Sequence, residues 1–426
     1  LTLKKRNTEF GQFPKEWRVD RVDSVFHIQQ GKQVSKKNRE GKNQAPFLRT
    51  KNVFWNKINL EKLDEMHFST SEMEKLTLKT DDLLVCEGGD IGRTAIWNGK
   101  QKKVYYQNHL HRLRKSSEEI NSQYALFWFW YAFKIGKLYH GRGNVTTIPN
   151  LSRSKLAELP LVLPSVIEQT KIAQILSMVQ QAIEDLQQLI DITTELKKTL
   201  MQQLFTKGLH NETQKQTEIG PVPESWGETK LEEIASLRSG GTPRRTNSDY
   251  WLNGEIPWVK TGEIKYQSIL TTQECISEKG LTASSATLFN TGTLLMAMYG
   301  QGVTRGRVGI LGLEAATNQA CVAIIPRDEK PIQTKYLYYY FQFLYKALRR
   351  FGHGANQKNL SATILKSFPV MLPDINTQKT TVVALNALDN KIRLAQNKAD
   401  AWSQLFKTLL NEMMTGKIST NEMHIV

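Results

Sequence analysis

Residues 165–207 contain neither glycine nor proline, and their apolar side chains recur in alternating steps of four and three. Ile172, Leu176, Val179, Ile183, Leu186 and Ile190 follow one another in this way, and the pattern then passes Thr193 and Lys197 to reach Leu200 and Leu204. That spacing is the seam of a coiled-coil helix. Pro164 stops whatever precedes it, and Ser165 with Glu168 has the spacing of a capping box, so the start is signalled as well. At a rise of about 1.5 Å per residue the stretch predicts a rod of roughly 60 Å.

The seam returns 209 residues later as Thr381, Leu385, Leu388, Ile392, Ala395, Ala399, Trp402, Phe406, Leu409 and Met413. Pro373 repeats Pro164, Asp374 takes the cap position, and residues 374–415 again lack glycine and proline. The same interval separates Gly11-x-x-Pro14-x-x-Trp17 from Gly220-x-x-Pro223-x-x-Trp226. Two long helices in one register, each closing a similar half, indicate an internal duplication. The expected fold is α+β: two similar mixed globules separated by two long helices, related by a pseudo-two-fold axis. The expected segments are a globule over 1–160, a helix over 161–209, a polar linker over 210–222, a second globule over 223–369, a second helix over 370–418, and a tail over 419–426. The linker is short, so the helices most simply pack antiparallel.

The net charge is +16, from 57 basic and 41 acidic residues, and it is uneven: residues 1–57 hold 14 Lys and Arg against 5 Asp and Glu. A basic excess of this kind favours a polyanion through Coulomb attraction and counterion release; a merely solubilising surface is the plainer alternative. Cys86, Cys275 and Cys321 form no CxxC pair and read as reduced thiols. No signal-peptide pattern opens the sequence, and the most apolar run, residues 124–133, is too short to span a bilayer. A cytoplasmic protein without membrane contact is expected.

Within each half, short apolar segments broken by turn residues read as strands. Gly31-Lys32 is answered by Gly240-Gly241-Thr242-Pro243. Pro46-Phe47-Leu48-Arg49-Thr50 is answered by Pro257-Trp258-Val259-Lys260-Thr261. Next come glycine-rich turns, residues 88–93 and 300–306, each followed by a strand-like run and not a helix, which excludes a dinucleotide-binding loop. A hairpin approaching DNA backbone fits better, with Arg93 and Arg305 or Arg307 on phosphates or bases. Gln107-Asn108-His109, answered by Asn318-Gln319, reads as a polar strand whose amides could pair with adenine or satisfy a buried turn. His109 and His111 would share a face of such a strand, but no further metal ligands lie nearby.

An aromatic segment in each half, residues 124–139 and 336–351, has helical spacing and reads as a core helix before a base-stacking one. Each runs into a basic, glycine-containing loop, residues 140–144 and 349–358, the foremost local DNA-contact candidates. The full candidate set is Lys32, Arg49, Lys51, Arg93, Asn108, His109, Arg142 and Asn144 in the first half. In the second half it is Arg244, Lys260, Arg305, Arg307, Gln319, Arg350, His353, Gln357 and Lys358. No catalytic or metal-binding residues are expected. The chain has no NPPY-type amide methyltransferase motif, no G-x-x-x-x-G-K-[ST], no G-x-S-x-G and no H-E-x-x-H, which favours a binding protein over an enzyme.

These residues resemble the specificity subunit of type I restriction–modification systems along nearly the whole chain. Leu163-Pro164-Ser165-Val166-Ile167-Glu168-Gln169, followed by Ile172, is similar to the family's L-P-x-x-x-E-Q-x-x-I passage into the helix. Also similar are residues 354–361, the run Gly241-Thr242-Pro243 to Tyr250-Trp251 with Ile256-Pro257-Trp258, and both Pro-x-x-Trp motifs. Thr377-Gln378 departs from Glu-Gln, and Gly31-Lys32-Gln33 lacks the Thr-Pro. The resemblance implies two target-recognition domains, each reading half of a bipartite asymmetric site in double-stranded DNA. It also implies helices that space the domains and dock two methyltransferase subunits, with two restriction subunits in systems that cleave. S-adenosylmethionine, ATP and Mg would then sit on the partners, and this chain would hold no cofactor. Two other classes fit the bare residues: an enzyme in its own right, against which the missing motifs stand, and a basic coiled-coil scaffold with protein-binding globules.

Overall fold

The computed structural model describes residues 5–8, 11–101, 103–139, 150–300, 302–328, 332–351, 360–418 and 420. The chain divides into two units, residues 1–187 with 396–426, and residues 188–395. The division cuts each long helix, so both helices contribute to both units.

In the first unit an antiparallel sheet runs in the order Thr94–Ile96, Leu83–Cys86, Leu110–Lys115, Phe26–Gln30. A second sheet sets Gln44–Leu48 between Asp64–His67, antiparallel, and Tyr105–Tyr106, parallel. The aromatic segment is the helix Ser122–Trp130, continued by one π-helical stretch, Tyr131–Ile135. Tyr124, Phe127, Trp128 and Phe129 are fully buried, so these rings form core and do not face bases. Pro160–Leu163 pairs with Arg18–Arg21 and leads into the first long helix.

The second unit repeats the plan. Its larger sheet runs Ala235–Ser239, Cys321–Pro326, Leu294–Ala297, Val308–Leu311, Ser268–Ile269. Its smaller sheet runs Glu274–Ile276, Ile256–Val259, Ala315–Thr317, Leu288–Phe289. Helix Thr334–Phe343 buries Tyr336, Tyr339 and Tyr340, and Gly227–Lys230 pairs with Pro369–Leu372. The segment expected as a linker holds a hairpin, Gln214–Thr217 with Gly220–Pro223, which repeats Lys5–Thr8 with Gly11–Pro14.

The long helices are Val166–Lys207 and Ile375–Met414. In the first unit Ile172, Leu176 and Val179 share one core with Phe406, Leu410, Met413 and Met414. In the second, Met201, Leu204 and Phe205 share a core with Val382 and Leu385. Each core thus takes the opening of one helix and the close of the other, the arrangement of an antiparallel pair. Ile190, Thr193, Ala395 and Ala399 are also buried, while Ile183, Leu186, Leu200, Leu388, Ile392 and Leu409 are half-buried. The charged seam position Lys197 is accommodated by Asp389 at 2.7 Å, with the Tyr339 ring 5.2 Å away. One seam position differs from expectation: Trp402 remains 37% exposed, at the solvent edge. No helix among the described residues is long and apolar enough to cross a membrane.

Candidate nucleic-acid interface

Parallel pairing brings the ends of two strands to one edge of each smaller sheet. In the first globule Gln107 N–H donates to Leu48 O at 3.0 Å, Lys32 N–H to Tyr106 O at 3.0 Å, and Asn108 N–H to Lys32 O at 2.8 Å. Lys32, Arg49 and Asn108 therefore meet at this edge. Gly31 permits the approach, since a Cβ there would lie 2.3 Å from Gln107 O. In the second globule Asn318 N–H donates to Val259 O at 3.1 Å and Gly241 N–H to Thr317 O at 2.8 Å. A Cβ on Gly240 would lie 2.0 Å from Thr317 O. The Thr242 hydroxyl donates to the Gln319 side chain. Lys260 and Gln319 gather here as Arg49 and Asn108 do in the first copy. Gln107 forms a single parallel bridge with Lys32, while Asn108, His109 and Gln319 lie in turns, not the expected polar strand, because the ladder ends at these edges.

Each edge carries two cations on one carboxylate. Asp64, opposite Phe47, takes Arg49 at 2.8 Å and Lys51 at 3.0 Å. Glu274, opposite Trp258, takes Lys260 at 2.8 Å and Arg245 at 2.5 Å. The hydrogen bond from Arg49 and then that from Lys51 hold the Asp64 carboxyl below its usual range; Lys260 and then Arg245 do the same to Glu274. One positive charge remains at the first edge, where Asn52 accepts the Arg49 N–H; at the second, the Glu263 carboxylate accepts the Lys260 N–H at 2.6 Å and offsets it. Arg244, the expected ligand, is exposed, but its neighbour Arg245 is the one built into the surface. The Arg245 guanidinium lies 3.7 Å over the Trp251 ring and 4.8 Å over Trp258. A planar cation held against two rings and paired with Glu274 keeps its orientation at little further entropic cost.

Several expected ligands are committed elsewhere. The Lys32 ammonium pairs with Glu72 at 2.5 Å and is one-tenth exposed, so its side chain is structural. Arg93 donates to Thr50 O at 2.5 Å and lies 5.3 Å over Phe54, which braces the turn that follows Arg49. His109 is exposed beside Glu87 at 3.3 Å. His111 is fully buried with Nε2 2.9 Å from Leu151 O, and burial pushes its pKa down. His109 lies in a turn and His111 in a strand, and no group of three metal-ligating side chains occurs among the described residues. Arg305 is buried, Arg307 lies over Tyr266, and Arg350 is exposed on its helix. Arg142, Asn144, His353, Gln357 and Lys358 lie outside the described residues.

Sequence reasoning missed a polar cleft of about 500 Å³ beside the first edge, lined by Gln29, Gln30, Gln33, Asn38, Lys75 and Arg153 among others. The signal was present in the run Gln29-Gln30-Gly31-Lys32-Gln33 closing a strand. Nothing local distinguishes Arg245 from Arg244, and the carboxylates Asp64 and Glu274 are visible only once strand register is known.

The family model described as the type I restriction modification DNA specificity domain matches twice, over residues 14–202 and 223–401. The type I restriction enzyme MjaVIII specificity subunit of Methanocaldococcus jannaschii is 24% identical over 421 residues, covering 96% of this chain and 95% of that one. Among solved structures, the S subunit of a type I restriction–modification system from M. genitalium superposes with a TM-score of 0.60 at 17% identity, covering 93% of this chain and 96% of that one. A chain from a study of complex assembly in the type I R-M system gives a TM-score of 0.56 at 15% identity, covering 95% and 99%.

Proposed function

Since the chain belongs to the type I restriction modification DNA specificity family, we propose that each of its globules reads one half of a bipartite, asymmetric site in double-stranded DNA. The chain is a DNA-recognition subunit and leaves catalysis to its partners. One observation carries the two-half reading: the same sheet edge is built twice and furnished differently. Arg49, Lys51 and Asn108 stand at the first edge; Arg245, Lys260 and Gln319 stand at the second. Arginine and lysine read guanine edges or hold phosphates, and amide side chains read adenine edges.

Two methyltransferase subunits dock on the long helices, and restriction subunits join them where cleavage occurs. The helices expose apolar side chains suited to such docking: Met178 and Leu405 in the first unit, Ile192, Leu196, Val383 and Leu394 in the second. S-adenosylmethionine, ATP and Mg belong to those partners, in the cytoplasm. The test is to replace residues 1–158 by the matching region of a relative and sequence the methylome of a host expressing the chain with its methyltransferase. One half of the modified site changes and the other is kept. If both halves change, or neither, the reading fails.

A further inference from the structure

The second globule gathers guanidinium groups that no carboxylate among the described residues answers. The turn between Leu294–Ala297 and Val308–Leu311 carries Arg305 and Arg307, and helix Tyr345–Phe351 packs against it. Gly306 adopts φ +85°, a conformation that favours glycine, and lies directly under that helix, with Leu348, Tyr345 and Arg349 3.4, 3.6 and 3.7 Å from where a Cβ would stand. Arg349 donates to Arg305 O at 3.1 Å and to the Tyr345 hydroxyl at 2.9 Å, and that hydroxyl donates to Val303 O at 2.7 Å. Arg349 lies 5.3 Å over the Tyr345 ring and Arg307 lies 5.9 Å over Tyr266, whose ring meets Tyr345 edge-on at 6.1 Å.

Arg305 is only 8% exposed, and its Nε has no hydrogen-bond partner among the described residues; neither has the buried Tyr266 hydroxyl. Burial and then the nearby Arg349 push the Arg305 guanidinium below its ordinary pKa, opposed only by Tyr345. A cation buried beside another cation is costly unless an anion neutralises it.

The first globule solves the same place differently. Strand register sets Thr94 opposite Val85 and Val308 opposite Met296, which equates Arg93 with Arg307. Ile91 then stands at the place of Arg305, and Asp90 at that of Thr304. Asp90 pairs with Lys134, so the first turn carries its own counter-charge.

We propose that Arg307 and Arg349, backed by Arg305 and the Tyr266 hydroxyl, form a phosphodiester site for duplex DNA that the second globule has and the first lacks. The inference rests on the DNA-recognition reading. Its consequence is that the two half-sites are held by different means, the second with the steeper dependence on salt.

The test uses the full chain and two probes, inorganic phosphate at constant ionic strength and a duplex of random sequence titrated at several KCl concentrations. Phosphate raises the melting temperature of the wild type. Arg349→Gln abolishes that rise and reduces the slope of log affinity against log salt by about one. Arg305→Met melts no lower than wild type without phosphate, because it removes a like-charge neighbour, and it also loses the phosphate response. Asp90→Asn, in the first globule, steepens the slope by about one. Duplex binding with unchanged slopes in Arg349→Gln and Arg305→Met overturns the site while leaving DNA recognition intact. A lower melting temperature for Arg305→Met with the phosphate response retained also overturns it, since Arg305 is then structural. Absence of any duplex binding by the wild type overturns the DNA reading itself.

Discussion

Trp17 donates its indole N–H to the Glu168 carboxylate at 3.0 Å, joining the Pro-x-x-Trp motif to the helix-opening motif across 151 residues of sequence. Both side chains are buried, and Ser165 caps the same helix by accepting from the Glu168 N–H at 3.3 Å. The second copy has Thr377 at the glutamate's place, where Asp374 accepts the Thr377 hydroxyl at 2.5 Å. Trp226 there packs edge-on against Phe205 and Tyr336.

Burial raises the Glu168 pKa, against the lowering effect of the Trp17 hydrogen bond. The folded state therefore binds this proton at higher pH than the unfolded chain does. The stability it contributes is present at low pH and is lost as pH rises from the usual carboxylate value through the raised one. Glu168→Gln keeps an acceptor for Trp17 without the charge. Urea unfolding of wild type and variant between about pH 4 and pH 7 is expected to show the variant gaining relative stability as pH rises. Parallel pH profiles would contradict this.

The glutamine beside it explains the rest of the motif. Gln169 accepts from Asn121 N–H at 2.9 Å and donates to Glu119 O at 2.9 Å and Pro164 O at 3.0 Å; Gln378 accepts from Gln333 N–H at 3.1 Å and donates to Pro373 O at 3.1 Å. Each pins a long helix to the N-terminus of the aromatic helix in its unit. Gln169→Ala or Gln378→Ala orphans buried backbone groups and is expected to cost on the order of 3 kcal/mol. Calorimetry should show Gln169→Ala lowering the transition of the first unit and Gln378→Ala that of the second.

Phe205 and Phe406 tie the long helices into the two cores. Phe205 meets Phe343 at 5.2 Å and Tyr336 and Tyr340 at 5.8 Å; Phe406 meets Trp130 at 5.0 Å and Phe127 at 6.0 Å. Either one changed to Ala should cost about 3–5 kcal/mol in denaturant titration. Trp402→Ala, at the solvent edge, should cost under about 1 kcal/mol.

Asp64→Asn and Glu274→Gln each release two cations at a sheet edge proposed to read DNA. Affinity for random duplex should rise, and the salt slope should steepen by about one per variant. Fluorescence anisotropy at a series of KCl concentrations measures both, and a lower affinity would show the carboxylates to be positioning elements.

The helices and the two glycine-rich hairpins were legible because each rests on spacing within one stretch of chain, and the duplication because the same motifs recur at one interval of 209 residues. The placement of residues at the two sheet edges was half legible. Arg49 and Lys260 stand where the strand alignment put them; Asn108 joins Arg49 in the first globule and Gln319 joins Lys260 in the second, because parallel pairing ends both strands together. Side-chain commitments were not legible. Nothing near Lys32 announces Glu72, 40 residues on, and Arg305 looks like any turn arginine until Tyr345–Phe351 packs over it. Trp402 occupies a perfect seam position yet stays at the edge, since period fixes a face but not how closely a neighbour approaches it.

The first unit is made of residues 1–187 and 396–426, with the whole second unit lying between them in sequence. Its core cannot close without Phe406, Leu410 and Met413, and Gly416 fits so tightly that a Cβ there would lie 2.3 Å from Pro14 Cγ. On the ribosome, then, the half synthesised first is completed last. At about 5–20 residues per second it waits roughly 10–40 s for its final helix. Throughout that time the apolar faces of Phe127 and Ile172 lack their closing layer. The second unit, whose residues are contiguous, can fold as soon as it emerges. The core of the first globule is therefore complete only after the second globule has been made.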